Sequence, residues 1–305
     1  MLLIICDKII GEMASQANTK QLNLPLPRGA WVDNYEILKL ISSGGFSFVY
    51  LAHDENQVPV VLKEYLPSVL ALRTSGSGPL APALSEGDLA KFRYGMKCFF
   101  EEGRALAHIS HPNVVRVQNF LRFNDTVYLA MRFERGRTLQ EHIKRHHGSL
   151  GEAWLRDTFS ELLNGLREVH THKLLHLDIK PANVYLRNDG SPVLIDFGAA
   201  RQALSQEGMK LPPTYTPGFA APEQHSGGQL GPWTDIYAVG AALYTCLSAA
   251  SPPRADERMR KDELAPARRA FAGKCSEELL EIIDWCLQLD HNDRPQSVFE
   301  LQKAL

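Results

Sequence analysis

From Tyr35 onward the chain alternates apolar and polar residues in short runs, "YEILKLI", "FSFVYLAH" and "VPVVLKEYL", which predict three β-strands. The turn signal "SSGG" falls between the first two. The period then changes. In "KFRYGMKCFFEEGRALAHI" the residues Phe99, Leu106 and Ile109 form an apolar stripe at helical spacing, and the helix stops before "SHPN". Two more strand patterns follow, "VVRVQNFLRF" and "TVYLAMRF". Beyond Gly136 the pattern is mainly helical: "TLQEHIKRHH", "AWLRDTFSELLNGLREVHTH", "DIYAVGAALYTCLSAA" and "SEELLEIIDWCLQL", interrupted by short strands at "VYLR" and "VLIDFG". A β-rich first part and a helical second part predict an α+β protein of two lobes with a cleft between them.

The breaks in the pattern predict boundaries. Residues 1–34 show no strong period and contain "NLPLPRG", which reads as an N-terminal extension, a loosely packed arm. The stretch "RTSGSGPLAPALSEGD" gives a flexible insertion at about 66–88, between the third strand and the first helix. The lobes are placed at 35–134 and 135–305. No internal repeat is seen.

Composition adds exclusions. In 305 residues, 44% are apolar and 22% charged, with a formal net charge of −2, the balance of an ordinary soluble protein. No basic excess points to nucleic acid. Cys6, Cys98, Cys246, Cys275 and Cys286 form no CxxC pair, so they read as reduced thiols in a cytoplasmic protein. "MLLII" is too short for a signal peptide and lacks a basic leader. The longest apolar run, "IYAVGAALYTCLSAA", is too short to span a bilayer and reads as a buried helix, so no membrane segment is expected in this chain.

Candidate chemistry gathers in "HLDIKPANVYL". Asp178, Lys180 and Asn183 put an acid, a cation and an amide in one short run, and Pro181 argues against a continuous helix through them. Such a set suits a phosphate and its metal ions. Asp196 follows the apolar "VLI" and precedes Phe197-Gly198, a carboxylate at a strand end. With Asn183 it offers the hard oxygen ligands that Mg²⁺ favours. Upstream, Glu102 falls within the apolar stripe of its helix. A buried carboxylate needs a cation, and Lys63 is the best candidate; the alternative is a Glu102 that reaches out to water. The glycines of "ISSGGFSFVYLA" read either as a plain hairpin turn or as a flap whose N–H groups approach a phosphate.

Taken in order, these motifs strongly resemble the eukaryotic-like protein kinase family, in its bacterial serine/threonine (Hanks-type) form. "SSGGFSFV" resembles the glycine-rich loop, "VVLK" the third-strand lysine, and Glu102 with "HPNVV" helix C and its exit. "HLDIKPAN" resembles the catalytic loop, followed by "DFG", "APE" at Ala221-Pro222-Glu223, "TDIYAVG" and the arginine of "NDRP", Arg294, which pairs with Glu223. The resemblance covers about 35–305. It implies a small antiparallel sheet with helix C, a larger helical lobe, and Mg-ATP-dependent phosphorylation of protein Ser/Thr hydroxyls. By resemblance, Lys63 held by Glu102 orients the α- and β-phosphates, while Asp196 and Asn183 bind Mg²⁺. Lys180 steadies the γ-phosphate, Asp178 takes the hydroxyl proton, and Thr216 shapes the substrate site. ATP would further meet Ser42, Gly44, Val49, Val61, Met131, Arg132, Glu134 and Tyr185. Leu106, Val117, His176 and Phe197 would form a hydrophobic spine.

Several positions depart from the family pattern. Ser42 and Ser47 replace two flap glycines and should stiffen the flap. Leu177 stands where an arginine often gathers an activation-segment phosphate, so phosphorylation at Ser205 or Thr214 is expected to matter little. A regulatory partner is expected at the 66–88 insertion. The competing readings are a small-molecule phosphotransferase of the aminoglycoside or choline kinase type, and a nucleotide-binding pseudokinase. The first usually lacks "APE"; the second usually lacks a lysine or aspartate that this chain keeps.

Overall fold

The structure is a computed structural model that describes residues 23–73, 85–147, 149–197 and 215–305. The chain divides into two compact units. The smaller contains the described residues up to His108 together with Arg116–Phe133; the larger contains Ile109–Val115 and the described residues from Glu134 onward.

The smaller unit is a six-stranded antiparallel sheet in the order β1-β2-β3-β4-β6-β5. Its strands are β1 (Trp31–Val32), β2 (Tyr35–Gly44), β3 (Ser47–His53), β4 (Pro59–Tyr65), β5 (Val117–Phe123) and β6 (Thr126–Arg132). The alternating runs of the sequence map onto β2 to β6 as predicted. The helix α1 (Glu86–Ala107) begins at Ser85, whose hydroxyl accepts the Asp88 N–H, and buries the stripe Phe92, Cys98, Phe99, Glu102 and Leu106. Gly95 and Gly103 let it sit close, because a Cβ at either would overlap Tyr65 or Leu129.

Cross-strand register gives the sheet two chemically different faces. Ser42 pairs with Val49, Val49 with Lys63, and Val61 with Met131, so these residues share the face on which α1 packs. The opposite face carries Tyr50, Val60, Leu62, Glu64 and Tyr128, all buried. Glu64 is fully buried there and is met by three side chains. Tyr50 Oη donates to Oε2 at 2.9 Å, Tyr128 Oη donates to Oε1, and the Arg73 guanidinium reaches both oxygens. Burial, reinforced by the Glu64 charge, pushes both tyrosine hydroxyls up, so they remain donors.

Arg73 corrects two boundary expectations. Composition predicts residues 66–73 to be the start of a flexible insertion, yet Leu66, Ser68, Ala71 and Arg73 are buried. The composition of "RTSGSGP" conceals a residue that neutralises Glu64. The lack of a period predicts residues 23–34 to be part of a loosely packed arm. Instead, β1 pairs with β2, and Asn23 accepts the Arg73 N–H at 2.6 Å while donating to the Ala71 carbonyl at 3.0 Å. Leu24 and Leu26 complete the link, the first by accepting from Arg73 at 3.2 Å, the second by donating its N–H to Tyr50 Oη at 3.1 Å. The same connector holds the Gly45-Phe46 turn between β2 and β3. Leu66 N–H donates to the Phe46 carbonyl and Ser68 N–H to the Gly45 carbonyl, both at 2.9 Å. The partner expected at the insertion falls mainly on residues 74–84, which with residues 1–22 lie outside the described residues.

The larger unit opens with the three-stranded antiparallel sheet β7 (Gly136–Thr138), β8 (Val184–Arg187) and β9 (Pro192–Leu194), and is otherwise helical. Its helices are α2 (Leu139–His146), α3 (Glu152–Thr171), α4 (Pro222–Ser226), α5 (Pro232–Ser248), α6 (Ala255–Arg258), α7 (Ala267–Ala270), α8 (Glu277–Cys286) and α9 (Val298–Ala304). From Thr234 to Leu247 every residue of α5 is buried, which makes it the core helix that the apolar run predicts. Among the described residues no helix is long and apolar enough to cross a membrane. No disulfide joins the described cysteines, and burial pushes the Cys286 thiol up to about 12.

Candidate active site

The loop between α3 and β8 folds as the sequence suggests. Pro181 opens a single 3-10 turn, Pro181–Asn183, rather than a longer helix. That turn gathers Asp178, Lys180 and Asn183 around one carboxylate. Lys180 Nζ lies 2.7 Å from Asp178 Oδ2, and Asn183 Nδ2 donates to the same oxygen at 3.0 Å. Thr216 Oγ1 donates to Asp178 Oδ1 at 2.7 Å and accepts from Lys180 at 2.6 Å. The site residues named from sequence in this loop are therefore in mutual contact.

The backbone beneath them is held by a residue to which the sequence reading gave no role. Asp235, in the first turn of α5, is fully buried. Its Oδ1 accepts the Leu177 N–H at 2.7 Å, and its Oδ2 accepts the His176 N–H at 2.9 Å and contacts His170 Nε2 at 2.8 Å. Burial would raise this carboxyl, but the hydrogen bonds from the His170 ring and the His176 N–H outweigh it and hold the group below the usual range. Leu177 has φ +62°, a left-handed backbone that costs a leucine energy and needs this support. Its side chain is buried, so packing accounts for it.

His176 is kept neutral. Burial pushes its imidazole down, and the ring makes the bonds of one tautomer: Nδ1 accepts the Asp178 N–H at 3.3 Å and Nε2 donates to the Ile195 carbonyl at 3.1 Å. Its ring packs on Phe197 at 4.4 Å, one of the spine contacts expected from the family pattern.

A pH prediction follows from Asp235. A depressed carboxyl contributes stability that is fully present above its unfolded value, about 4, and is lost as pH falls through the lower folded value. Asp235→Asn removes an acceptor for Leu177 or His176 and should cost about 1–3 kcal/mol at pH 7. Urea titrations should show the gap between the two proteins narrowing below about pH 4. A gap constant with pH would contradict this account of Asp235.

Asp196 follows β9 at φ +61°. It is brought beside Asn183 by the hydrogen bond from Ile195 N–H to the Asn183 carbonyl, 3.0 Å. Asn183 Nδ2 must face Asp178, whose carbonyl and carboxylate only accept, so the amide Oδ1 is turned away from them. This leaves one amide oxygen and one carboxylate as candidate metal ligands. Among the described residues no cluster of three or more His, Cys, Asp or Glu could hold an ion.

In the smaller unit Lys63 and Glu102 are both buried, and Lys63 Nζ sits 5.7 Å from the Phe99 ring centroid, on the stripe of α1 that also carries Glu102. Ser42, Val49, Val61 and Met131 share the Lys63 face, with Gly44 two residues beyond Ser42 at the end of β2. Arg132 ends β6, and its N–H donates to the Arg116 carbonyl at 2.9 Å. Of the other residues named for ATP, Glu134 and Tyr185 belong to the larger unit. Glu134 takes a two-point ion pair from Arg187 at 2.9 and 3.0 Å, and Tyr185 pairs with Thr138 and Val193. Leu106 and Val117 are buried in the smaller unit. The Glu223–Arg294 pair is present, buried and bidentate at 2.8 and 3.1 Å.

The profile of the family described as "Protein kinase domain" matches residues 35–304. The chain belongs to the protein kinase family. The kinase domain has this family's α+β fold, a curled antiparallel sheet and a helical unit. It is 29% identical over 224 residues to "Probable serine/threonine-protein kinase PknB" of Lactococcus lactis subsp. lactis (strain IL1403), covering 73% of this chain and 32% of that protein. It is 30% identical to "Serine/threonine-protein kinase F" of Synechocystis sp. (strain ATCC 27184 / PCC 6803 / Kazusa), covering 89% of this chain and 54% of that protein. A solved structure titled "PpkA-294 apo form" aligns with TM-score 0.79 and 34% identity, over 92% of this chain and 98% of that one. The kinase domain thus spans about a third to a half of these curated relatives.

Proposed function

We propose that this chain is a bacterial-type serine/threonine protein kinase that transfers the γ-phosphoryl group of ATP to protein Ser/Thr hydroxyls. The observation that carries this reading is the Asp178 carboxylate, gripped by Lys180, Asn183 and Thr216 on a loop anchored to Asp235. Phosphoryl transfer needs positioning and charge neutralisation more than covalent help. The substrate oxygen forms a bond to the γ-phosphorus, the bond from that phosphorus to the β–γ bridging oxygen breaks, and the hydroxyl proton passes to Asp178. ADP leaves with the bridging oxygen. Lys180 stands beside the carboxylate, where its ammonium steadies charge on the moving group. Lys63, with Glu102 on the facing helix, orients the α- and β-phosphates. Ser42, Gly44, Val49, Val61, Met131, Arg132, Glu134 and Tyr185 line the nucleotide.

Asn183 Oδ1 and the Asp196 carboxylate fit Mg²⁺, which takes hard oxygens and commonly uses one or two protein ligands, completing its shell with water and phosphate. When bound it supplies charge neutralisation at the phosphate oxygens. Protein substrates carrying Ser or Thr are the partners this chemistry requires.

The test is incubation with labelled ATP and a generic basic protein, with and without Mg²⁺. Label on Ser or Thr of the protein, dependent on Mg²⁺, is expected. Nucleotide binding with no transfer to protein would instead favour the pseudokinase reading. Lys63→Met should reduce transfer by about 10²-fold or more, the scale of losing one preorganised electrostatic contact. Wild-type rates in that variant would remove Lys63 from the phosphate-binding role.

A further inference from the structure

Gln224 uses its amide in two directions. Oε1 accepts the Ala221 N–H at 2.9 Å, capping the short helix α4, and Nε2 donates to the Leu177 carbonyl at 2.9 Å. The orientation is fixed, since an N–H needs an acceptor and a carbonyl needs a donor. Leu177 immediately precedes Asp178 and holds a left-handed backbone. Its N–H is bound by Asp235 and its carbonyl by Gln224, so both ends of the strained unit are clamped. The next residue of α4 adds a second hold, because the His225 ring packs on Tyr215 at 4.5 Å, directly before Thr216. Two neighbouring side chains of α4 thus engage the catalytic loop and the stretch that carries Thr216.

We infer that Gln224 is a positioning residue for phosphoryl transfer. It fixes the Leu177 carbonyl and so the direction in which Asp178 leaves the backbone. The link is neutral and local. It ties the region after the "APE" motif to the catalytic loop at the position where an arginine–phosphate contact is unavailable, because residue 177 is leucine. This inference rests on the kinase reading. Only the side chain's donor function acts on Leu177; its acceptor function serves the helix cap.

Two variants separate these functions. Gln224→Glu keeps the acceptor for Ala221 but sets a carboxylate oxygen against the Leu177 carbonyl. Gln224→Met removes both bonds without adding charge. Steady-state transfer should show kcat lowered about tenfold or more in both, equivalent to about 1.4 kcal/mol of barrier, with KM for ATP within about twofold of wild type. Thermal melting should show a lower midpoint in both variants, each having lost the bond to the Leu177 carbonyl, with both still folded at the assay temperature. A purely capping role gives a different result, with Gln224→Glu fully active and only Gln224→Met impaired, and would overturn the inference. So would a loss confined to KM for ATP in either variant. If Gln224→Glu unfolds, Gln224→Lys decides, since it can donate to the Leu177 carbonyl but cannot accept from Ala221: a kcat well above that of Gln224→Met supports the inference, and a kcat as low as that of Gln224→Met overturns it. An inactive wild-type protein would count against the kinase reading itself, a different result from an active wild type beside active variants.

Discussion

Asp178→Asn is expected to lower the rate of label transfer by about 10²–10⁴-fold, the usual contribution of a positioned acid–base group, while the protein stays folded. Geometry explains why so small a change should matter. Asp178 Oδ1 accepts from Thr216, and Oδ2 faces the Lys180 ammonium and the Asn183 amide. An asparagine can keep the Thr216 bond with its oxygen. Its NH₂ then meets two donors, and no group remains to take the proton of the attacking hydroxyl. Lys180 is partly exposed and can turn to solvent, so the structural cost should stay near that of one hydrogen bond, about 1 kcal/mol. Initial rates and melting temperature measured on the same preparation separate the two effects. A variant that retains more than about a tenth of the wild-type rate would show that Asp178 is not the proton acceptor.

The catalytic loop was legible because its chemistry is local. Asp178, Lys180 and Asn183 lie within one short stretch, and Pro181 predicts the turn that converges them. The strands and long helices were legible for a related reason: alternation and helical stripes are written in consecutive residues. What supports the loop was less visible. Asp235 begins an apolar helix, where a carboxylate ordinarily reads as favourable to the helix dipole. Nothing in its neighbourhood announces that it binds His176 and Leu177, 59 and 58 residues earlier. Gln224 is similar, since its partner at Leu177 lies 47 residues away. Glu64 is different. Period-two alternation puts it on the face of Val60 and Leu62, so a carboxylate in an apolar row was available as a signal. Its cation was concealed, because Arg73 opens a Gly/Ser/Pro-rich run that composition marks as loop. The activation-segment hydroxyls Ser205 and Thr214 lie outside the described residues, and the expectation of phosphate-independent activity rests on Leu177 standing where an arginine often does.

Arg73→Met should destabilise the protein by about 3–5 kcal/mol, the penalty for stranding one member of a buried ion pair. Glu64 and Arg73 both have side chains with no exposed surface. Burial opposes the Arg73 charge, but its hydrogen bonds to Glu64 outweigh this and raise its pKa. Without the guanidinium, Glu64 retains, among the described residues, the hydroxyls of Tyr50 and Tyr128, which donate to the carboxylate but cannot neutralise it. The loss should spread beyond the pair. The Arg73 guanidinium also holds the Leu24 carbonyl, and its connector ties the Gly45-Phe46 turn of the flap through Leu66 and Ser68. Urea unfolding should therefore show a lower midpoint, and limited proteolysis should cut faster near residues 66–73. The second half of the test is the double variant Glu64→Leu/Arg73→Met. With no charge left to strand, it should recover most of the lost stability, because exchanging a whole buried pair for apolar groups is often close to neutral. Single and double variants of equal stability would show that the cost lies in the packing of the Arg73 side chain. A single variant within about 1 kcal/mol of wild type, the scale of an exposed pair, would show that the pair is not buried in solution.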